Sequence, residues 1–307
     1  MNSARIRAYL MLLVVAIIWG IASPVIKHTL EGFSADVFLT YRFGVSTIVA
    51  LVLFLITGIH LPKKASSLLL LVLYGFLNSV VSLGLLFFGM ENTTVLEAGL
   101  ITLASPLLVS TAGVYFLHEH ITRREKIGMI IAIIGTIFTI VDPLINNGHS
   151  SIRFSGNLLV FGYVISTLIT TLIAKKILKD GVNPLTMTSI SFIIGFVSFL
   201  AFILTKMPIT ELILQIRSVK PEYHLGVLYM AIISGNLAFY LSNKAQKTIE
   251  IGEQSLFAYL YPIFSLPIAV YWLGEKVTPV IILGGIIVTV GVAIAEIKRT
   301  RYNKNLE

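Results

Sequence analysis

Stretches of about 20 apolar residues follow one another along almost the whole chain, and they restrict the fold more than any other feature. A helix of that length crosses a hydrocarbon layer of about 30 Å and satisfies its own backbone inside it. Only 12% of the residues are charged, whereas a soluble domain carries roughly 25%. The sequence therefore predicts an all-α membrane protein.

Ten such spans can be drawn, and most of the loops between them are short. The spans are 8–26, 37–57, 66–90, 95–117, 122–141, 156–178, 184–204, 224–246, 252–273 and 279–297. Two loops are longer, at 142–155 and 205–223. The second contains the apolar stretch 209–216, which is too short to span and is predicted to lie at the membrane interface.

An internal repeat divides the chain into halves. The segment from Val95 to Gly135 returns 156 residues later, from Ile251 to Gly291, and twelve of the 41 aligned positions are identical. Each copy has an apolar helix with an internal proline, a loop that carries Glu-x-[Ile/Val]-Thr, and an apolar helix with glycines seven residues apart. We interpret the chain as a tandem duplication, with one repeat at 1–150 and the other at 151–307.

The distribution of lysine and arginine predicts the orientation. With the N-terminus inside, the inner segments hold sixteen of these residues and the outer segments six, and cytoplasmic loops carry the excess. Both termini are therefore expected in the cytoplasm of a multi-pass cell-membrane protein. Because each repeat has five spans, an odd number, the second enters the membrane from the opposite side. Ten transmembrane helices in two inverted five-helix repeats are typical of secondary transporters.

Several short motifs resemble one family. They are Trp19-Gly20 in the first span, Tyr41-Arg42-Phe43 in the second, and the hairpins 117–122 and 273–278, the latter Leu-Gly-Glu-Lys-Val-Thr. Together with the duplication they resemble the EamA-type branch of the drug/metabolite transporter superfamily, although His118 stands where the family usually has glycine. The resemblance implies a metabolite or drug carrier of the cytoplasmic membrane, often an exporter. It also implies a cavity lined by the first four helices of each repeat, with the fifth and tenth outside.

We therefore expect a secondary transporter that moves small metabolites, such as amino acids or related solutes, by alternating access. Export is the expected direction, from the resemblance alone. A multidrug exporter of the same fold is the alternative. An intramembrane enzyme or a channel is less favoured, because neither a catalytic cluster at one depth nor a selectivity loop can be assembled. The expected partners are a small-molecule substrate and the lipid bilayer, with no nucleic acid, metal or cofactor; a homodimer is left open.

Polar residues at helical spacing predict which faces line the cavity, because polar groups in spans tend to face the bundle interior. The alternative is hydrogen bonding between helices without a ligand. Trp19 is added because it lies deep in its span, away from the interfaces where tryptophan usually anchors. The candidates are Trp19, Tyr74, Asn78 and Ser82, then Tyr229, Asn236, Tyr240 and Asn243, with Tyr163, Gln254 and Tyr261 as weaker ones.

Charged candidates complete the predicted site. Arg42 is the one lysine or arginine clearly inside a span, and it is interpreted as a substrate carboxylate site, a gate charge or a structural residue. Glu97 enters the fourth span from the same side, so these two are expected to pair. Glu253, its repeat mate, is expected to pair with Lys244 or Lys247. Glu97 and Glu253 are the candidates for proton coupling or gating.

Two further glutamates occupy the hairpin loops of the repeat. Glu119 and Glu275 are expected to cap or pair near the start of the helix that follows each of them. No catalytic role is expected for either residue.

Overall fold

The computed structural model describes residues 3–117, 123–146 and 151–296, which form helices joined by short turns, without a strand among them. Seven of these helices are long and apolar enough to cross a membrane. Three shorter apolar helices, Val95–Val109, Ile130–Val141 and Pro279–Ile294, occupy places where the sequence predicts further spans. The protein is thus an all-helical membrane protein, and the ten-span count stays a prediction.

We number the helices in chain order. They are α1 Ser3–Thr29, α2 Ala35–Thr57, α3 Ala65–Asn92, α4 in two pieces, Val95–Thr102 and Ala104–Leu117, α5 Arg123–Asn146, α6 Ser151–Lys179, α7 Pro184–Leu204, α8 Ile209–Ser218, α9 Pro221–Gln246, α10 Ile251–Tyr271 and α11 Pro279–Glu296.

The loop predicted at 142–155 is mostly helical, which corrects the sequence interpretation. Helix α5 continues to Asn146 and α6 already begins at Ser151. Apolar content locates the part of a helix that suits hydrocarbon, whereas backbone hydrogen bonding continues past that part. The apolar stretch at 209–216 does form a short helix, α8, which buries Leu212 and exposes Ile213 and Leu214.

Two half-buried lysines cap helix ends in matching ways. Lys27, near the end of α1, donates from Nζ to the carbonyl oxygen of Met90 in the last turn of α3, at 2.9 Å. Lys175, near the end of α6, donates to the carbonyl oxygen of Gln246, the last residue of α9, at 2.6 Å. Helices α1 and α3 stand in the first predicted repeat where α6 and α9 stand in the second. We call the two ends of the bundle the Lys27 end and the Lys175 end.

Helices α5 and α11 approach each other closely through glycines. A Cβ atom on Gly135 would lie 3.0 Å from the carbonyl oxygen of Gly284, and one on Gly291 would lie 2.6 Å from that of Gly128. The two helices therefore run antiparallel. The repeat aligns Gly128 with Gly284 and Gly135 with Gly291. Replacing each glycine by its aligned mate therefore turns the first contact into the second, which is the relation that a two-fold axis between the helices would produce.

Irregular turns also occur at matching places. The third long helix of each predicted repeat contains a π-helical stretch, Phe76–Ser82 in α3 and Tyr229–Leu237 in α9. Such stretches hydrogen-bond from i to i+5 and are frequent at functional sites. The next helix is interrupted in both halves, at Leu103 in α4 and by the 3₁₀ turn Phe257–Leu260 in α10.

Candidate functional site

A central cavity of about 200 Å³ lies between the two predicted repeats. Its described lining comes from α1, α2, α3, α4, α6, α9 and α10, and none comes from α5 or α11. Helix α7 contributes no lining residue either, which differs from the eight helices that the resemblance implies. Instead α7 packs behind the π-helical stretch of α3, where Asn78 donates from Nδ2 to Ser191 Oγ at 3.2 Å and Ser79 shares a 2.8 Å bond with the same hydroxyl.

The cavity reaches the helix ends at the Lys175 end of the bundle. It includes Gln246 and Ile251, which end α9 and begin α10 at the Lys175 end. In the other direction its lining includes Ile26, next to Lys27, and Gly99, two residues after Glu97, whereas Arg42 lies about 10 Å along the axis from the start of α2. Beyond that level the described contacts include the ion pair between Asp36 and Lys206, with 2.6 Å between Oδ2 and Nζ.

The structure brings most of the predicted site residues together around this cavity. Trp19 is held in place, because its Nε1 donates to the carbonyl oxygen of Ser234 at 3.1 Å and its ring packs edge-on against Phe239. The indole ring of Trp19 therefore has a fixed orientation in the cavity wall. The predicted residues that line the cavity are Trp19, Arg42, Tyr74, Asn78, Ser82 and Asn243, with the weaker candidates Tyr163, Gln254 and Tyr261.

Three predicted residues on α9 lie elsewhere. Tyr229 donates from its hydroxyl to the carbonyl oxygen of Ile18 at 2.7 Å, which joins α9 to α1. Asn236 donates to the carbonyl oxygen of Ala231 at 2.9 Å within the π-helical stretch. Tyr240 lies in a separate groove at the Lys175 end, where it accepts a hydrogen bond from Lys244 at 3.1 Å. The first two contacts are the helix-to-helix and local bonds that the alternative interpretation describes.

Helix α6 contributes a threonine-rich face to the cavity that was not predicted from the sequence. Thr167, Thr170, Thr171 and Ala174 all line the cavity. Their spacing of i, i+3, i+4 and i+7 places them on one helical face. That pattern was available from the sequence, but hydroxyl groups of threonine are so common in membrane helices that they carry a weak signal.

Arg42 is fully buried and has no carboxylate partner. Its residue is 1% exposed, and its guanidinium carbon lies 5.0 Å from the ring centroid of Phe43 and 4.9 Å from that of Phe87. None of its three side-chain nitrogens has a hydrogen-bond partner in the described structure. The expected pair with Glu97 is therefore wrong. Arg42 is also the one charged residue in the described lining of the cavity.

Glu97 pairs instead with Arg153 at the start of α6. The carboxylate is completely buried, its Oε1 lies 2.5 Å from Arg153 Nη2, and its Oε2 accepts a hydrogen bond from Thr93 at 2.8 Å. Two partners therefore occupy the two oxygens of Glu97. The residue does not line the cavity.

Glu253 pairs with Arg5 of α1 at the Lys175 end. This corrects the expectation that Lys244 or Lys247 would be its partner. Lys244 instead donates to the hydroxyl of Tyr240. Like Glu97, Glu253 is not part of the cavity lining.

Glu275 caps a helix of the other half. Its two carboxylate oxygens accept the backbone amides of Val95, at 2.7 Å, and Leu96, at 2.9 Å, at the start of α4. The expected cap on its own following helix, α11, is therefore wrong; Glu119 lies outside the described residues. Burial raises the pKa of the Glu275 carboxyl, and the two donated hydrogen bonds act in the opposite direction.

We expect the change Glu275→Ala to lower the free energy of unfolding by about 2 kcal/mol, because two amides at a helix start lose a charged acceptor. Unfolding in detergent micelles measures the effect. Glu222→Ala, at an exposed position, is the matched control. Equal stability of the two variants would contradict the cap.

Comparisons with known proteins agree with this architecture. A model described as the EamA-like transporter family matches residues 6–141 and 154–296. The uncharacterized transporter YyaM of Bacillus subtilis (strain 168) is 24% identical over 303 residues, which are 97% of each chain. A Salmonella typhimurium protein named "Probable amino-acid metabolite efflux pump" is 25% identical over 288 residues, 92% of each chain.

A crystal structure of another protein matches 96% of this chain and 98% of its own, with a TM-score of 0.66 and 16% identity, which shows a shared fold alone. The names of the relatives indicate transporters and so point away from an enzyme. The family model covers both halves of the chain, whose helices together enclose the central cavity. The protein therefore belongs to the EamA-like transporter family.

Proposed function

We propose that the protein is a secondary transporter that moves a small metabolite, of the amino-acid or related class, across the cell membrane by alternating access. Ten spans in two inverted repeats would surround the substrate. The observation that carries this proposal is the central cavity, which is bounded by both halves of the chain. Inverted repeats around a site near the midplane are the usual basis of such carriers.

Matching contacts support the inverted arrangement. The lysine caps at Met90 and Gln246, the two π-helical stretches and the antiparallel glycine contacts between α5 and α11 all come in pairs that occupy corresponding helices of the two predicted repeats. Two halves with the same contacts and opposite directions can exchange conformations. The state in which the other end is open would then have a comparable free energy.

The orientation of the cavity suggests an inward-facing state. The Lys175 end carries the basic clusters that the positive-inside rule places in the cytoplasm, among them Lys63, Lys64 and Lys244. The cavity reaches that end, whereas the pairs Glu97–Arg153 and Asp36–Lys206 join helices at the Lys27 end. We infer that opening to the outside separates these two pairs.

The size of the cavity favours a metabolite over a drug. Pockets for drug-sized ligands commonly measure about 300–1,000 Å³, which is larger than the roughly 200 Å³ found here. The name of the Salmonella relative, which mentions amino-acid metabolites and efflux, supports the same class and export as the direction. A multidrug exporter of the same fold is the second candidate, favoured by the aromatic side chains of Trp19, Tyr163 and Tyr261 in the wall.

The purified protein in proteoliposomes should show saturable counterflow. Labelled solute outside should accumulate transiently when vesicles are preloaded with the same solute unlabelled. A carrier produces this overshoot because its site alternates between sides, whereas a channel gives flux that rises in proportion to concentration. Chemical conversion of the solute would instead indicate an enzyme. The absence of overshoot with every amino acid, organic acid and amine tested would contradict the proposal.

Labelling of single cysteines tests the orientation, and the chain contains no cysteine of its own. In intact cells an impermeant maleimide should modify Ser218→Cys, at the end of α8, and should reach Ser66→Cys, at the start of α3, only after permeabilisation. Both serines are exposed. Labelling of both variants from the same side would contradict the predicted topology.

A further inference from the structure

The central cavity has an unbalanced charge. Among the described residues that line it, Arg42 is positive and none is an aspartate or a glutamate. The other polar lining groups are neutral hydroxyls, amides and an indole, as in Thr170, Asn78, Gln246 and Trp19. The cavity therefore presents a charge of +1 to whatever occupies it.

Nothing in the described structure neutralises that charge. The three nitrogens of Arg42 lack a hydrogen-bond partner and are closed to water. A charge that is removed from water without a partner costs several kcal/mol. The rings of Phe43 and Phe87 offset part of this, at about 2 kcal/mol for a desolvated cation–π contact. They leave the five N–H donors of the guanidinium unused.

We propose that the transported solute is an organic anion whose carboxylate binds Arg42, and this inference rests on the proposed function. A carboxylate fits a guanidinium in a bidentate geometry and satisfies two of its donors at once. Entry requires a small displacement of a side chain beside Arg42, because the nitrogens are covered in this conformation. The apolar wall, with Ile26, Leu86 and Phe87, would hold the body of the solute.

The same lining discriminates against a free ammonium group. An amino acid brings a cationic group for which the described cavity offers no carboxylate, and a cationic drug would meet Arg42 as a like charge. The solute class that fits best is a monocarboxylate with a small apolar body, such as an amino acid whose amino group has been removed or acylated.

The test compares solutes that share one body and differ in charge. Thermal unfolding of the purified protein is measured with isocaproate, its amide, leucine and isoamylamine, and with two further acid and amide pairs, acetate with acetamide and phenylacetate with phenylacetamide. We expect at least one acid to raise the unfolding temperature at a concentration about 10- to 100-fold lower than its amide requires. This ratio corresponds to the hydrogen bond between charged groups that the amide cannot form.

The variant Arg42→Met separates a ligand role from a structural one. Replacing a buried unpaired charge with an apolar side chain of similar length should leave the unfolding temperature of the empty protein unchanged or higher. It should also abolish the preference for acid over amide. Arg217→Met, which removes an exposed arginine from α8, is the matched control and should retain the preference.

Three results would overturn the inference. In the first, no acid binds better than its amide, and in the second, the preference for acid survives in Arg42→Met. In the third, Arg42→Met destabilises the empty protein, and Arg42→Lys restores the stability without restoring acid binding. Counterflow separates this failure from that of the proposed function. Saturable counterflow of leucine or isoamylamine that is unchanged in Arg42→Met would retain the transporter and remove the anion site.

Discussion

Replacing Gly291 with alanine is expected to lower the free energy of unfolding by about 3 kcal/mol, at the upper end of the usual effect of overpacking. A Cβ atom at this position would lie 2.5 Å from the backbone nitrogen of Ala132 and 2.6 Å from the carbonyl oxygen of Gly128. Both are backbone atoms of α5, so no side-chain rotation relieves the clash and the helices must separate. Unfolding in detergent micelles measures the loss.

Gly285→Ala is the matched control on the same helix. Its added methyl would meet the flexible Cδ2 atom of Leu100 at 3.3 Å, which can move. We expect a change below about 1 kcal/mol for this variant, because mutations that meet flexible side chains are tolerated. If the two variants were equally stable, the close antiparallel contact between α5 and α11 would be wrong.

The change Glu97→Gln should destabilise the protein by about 3 kcal/mol, because breaking a pair that contains a completely buried carboxylate is strongly destabilising. This value is at the low end of the usual cost of breaking a buried ion pair, because the side chain of Arg153 is 27% exposed. Unfolding in detergent micelles again gives the size of the effect. Glu211→Gln, at an exposed position of α8, should leave stability unchanged.

A second measurement distinguishes pairing from proton coupling at Glu97. If the residue only closes the Lys27 end, Glu97→Gln should retain counterflow with an altered concentration dependence. A variant that retains counterflow but loses uptake driven by a pH gradient would instead assign the coupling proton to Glu97. Wild-type stability of Glu97→Gln would contradict the buried pair itself.

Helical periodicity located three cavity-lining residues of α3, whereas of its four candidates on α9 only Asn243 lines the cavity, and the π-helical stretch of α9 explains the difference. Tyr74, Asn78 and Ser82 are spaced by four residues, which lies between the number of residues in one α-helical turn and in one π-helical turn. All three side chains therefore line the cavity. The spacing of seven between Tyr229 and Asn236 closes two turns only in a regular α-helix. The wider turns of Tyr229–Leu237 shift the register.

Partners of buried charges could not be read from the sequence. The sequence offered Arg42 of a neighbouring span as the partner of Glu97, whereas the observed partner, Arg153, lies far along the chain. Sequence separation does not rank them, because the choice depends on how α6 packs against α4. The repeat alignment, in contrast, relates α5 to α11 without reference to charges, and the glycines that it aligns are those at which the two helices touch.

The isolated guanidinium of Arg42 has a consequence for the return half of the transport cycle. The cation has neither water nor an anion near it even in the conformation described, so on the proposal above the empty carrier would bear this penalty throughout its return. A bound carboxylate would remove the penalty, and release into a compartment without acid would restore it. Efflux of one acid should therefore accelerate when an acid is present on the opposite side, and the protein would act chiefly as an exchanger.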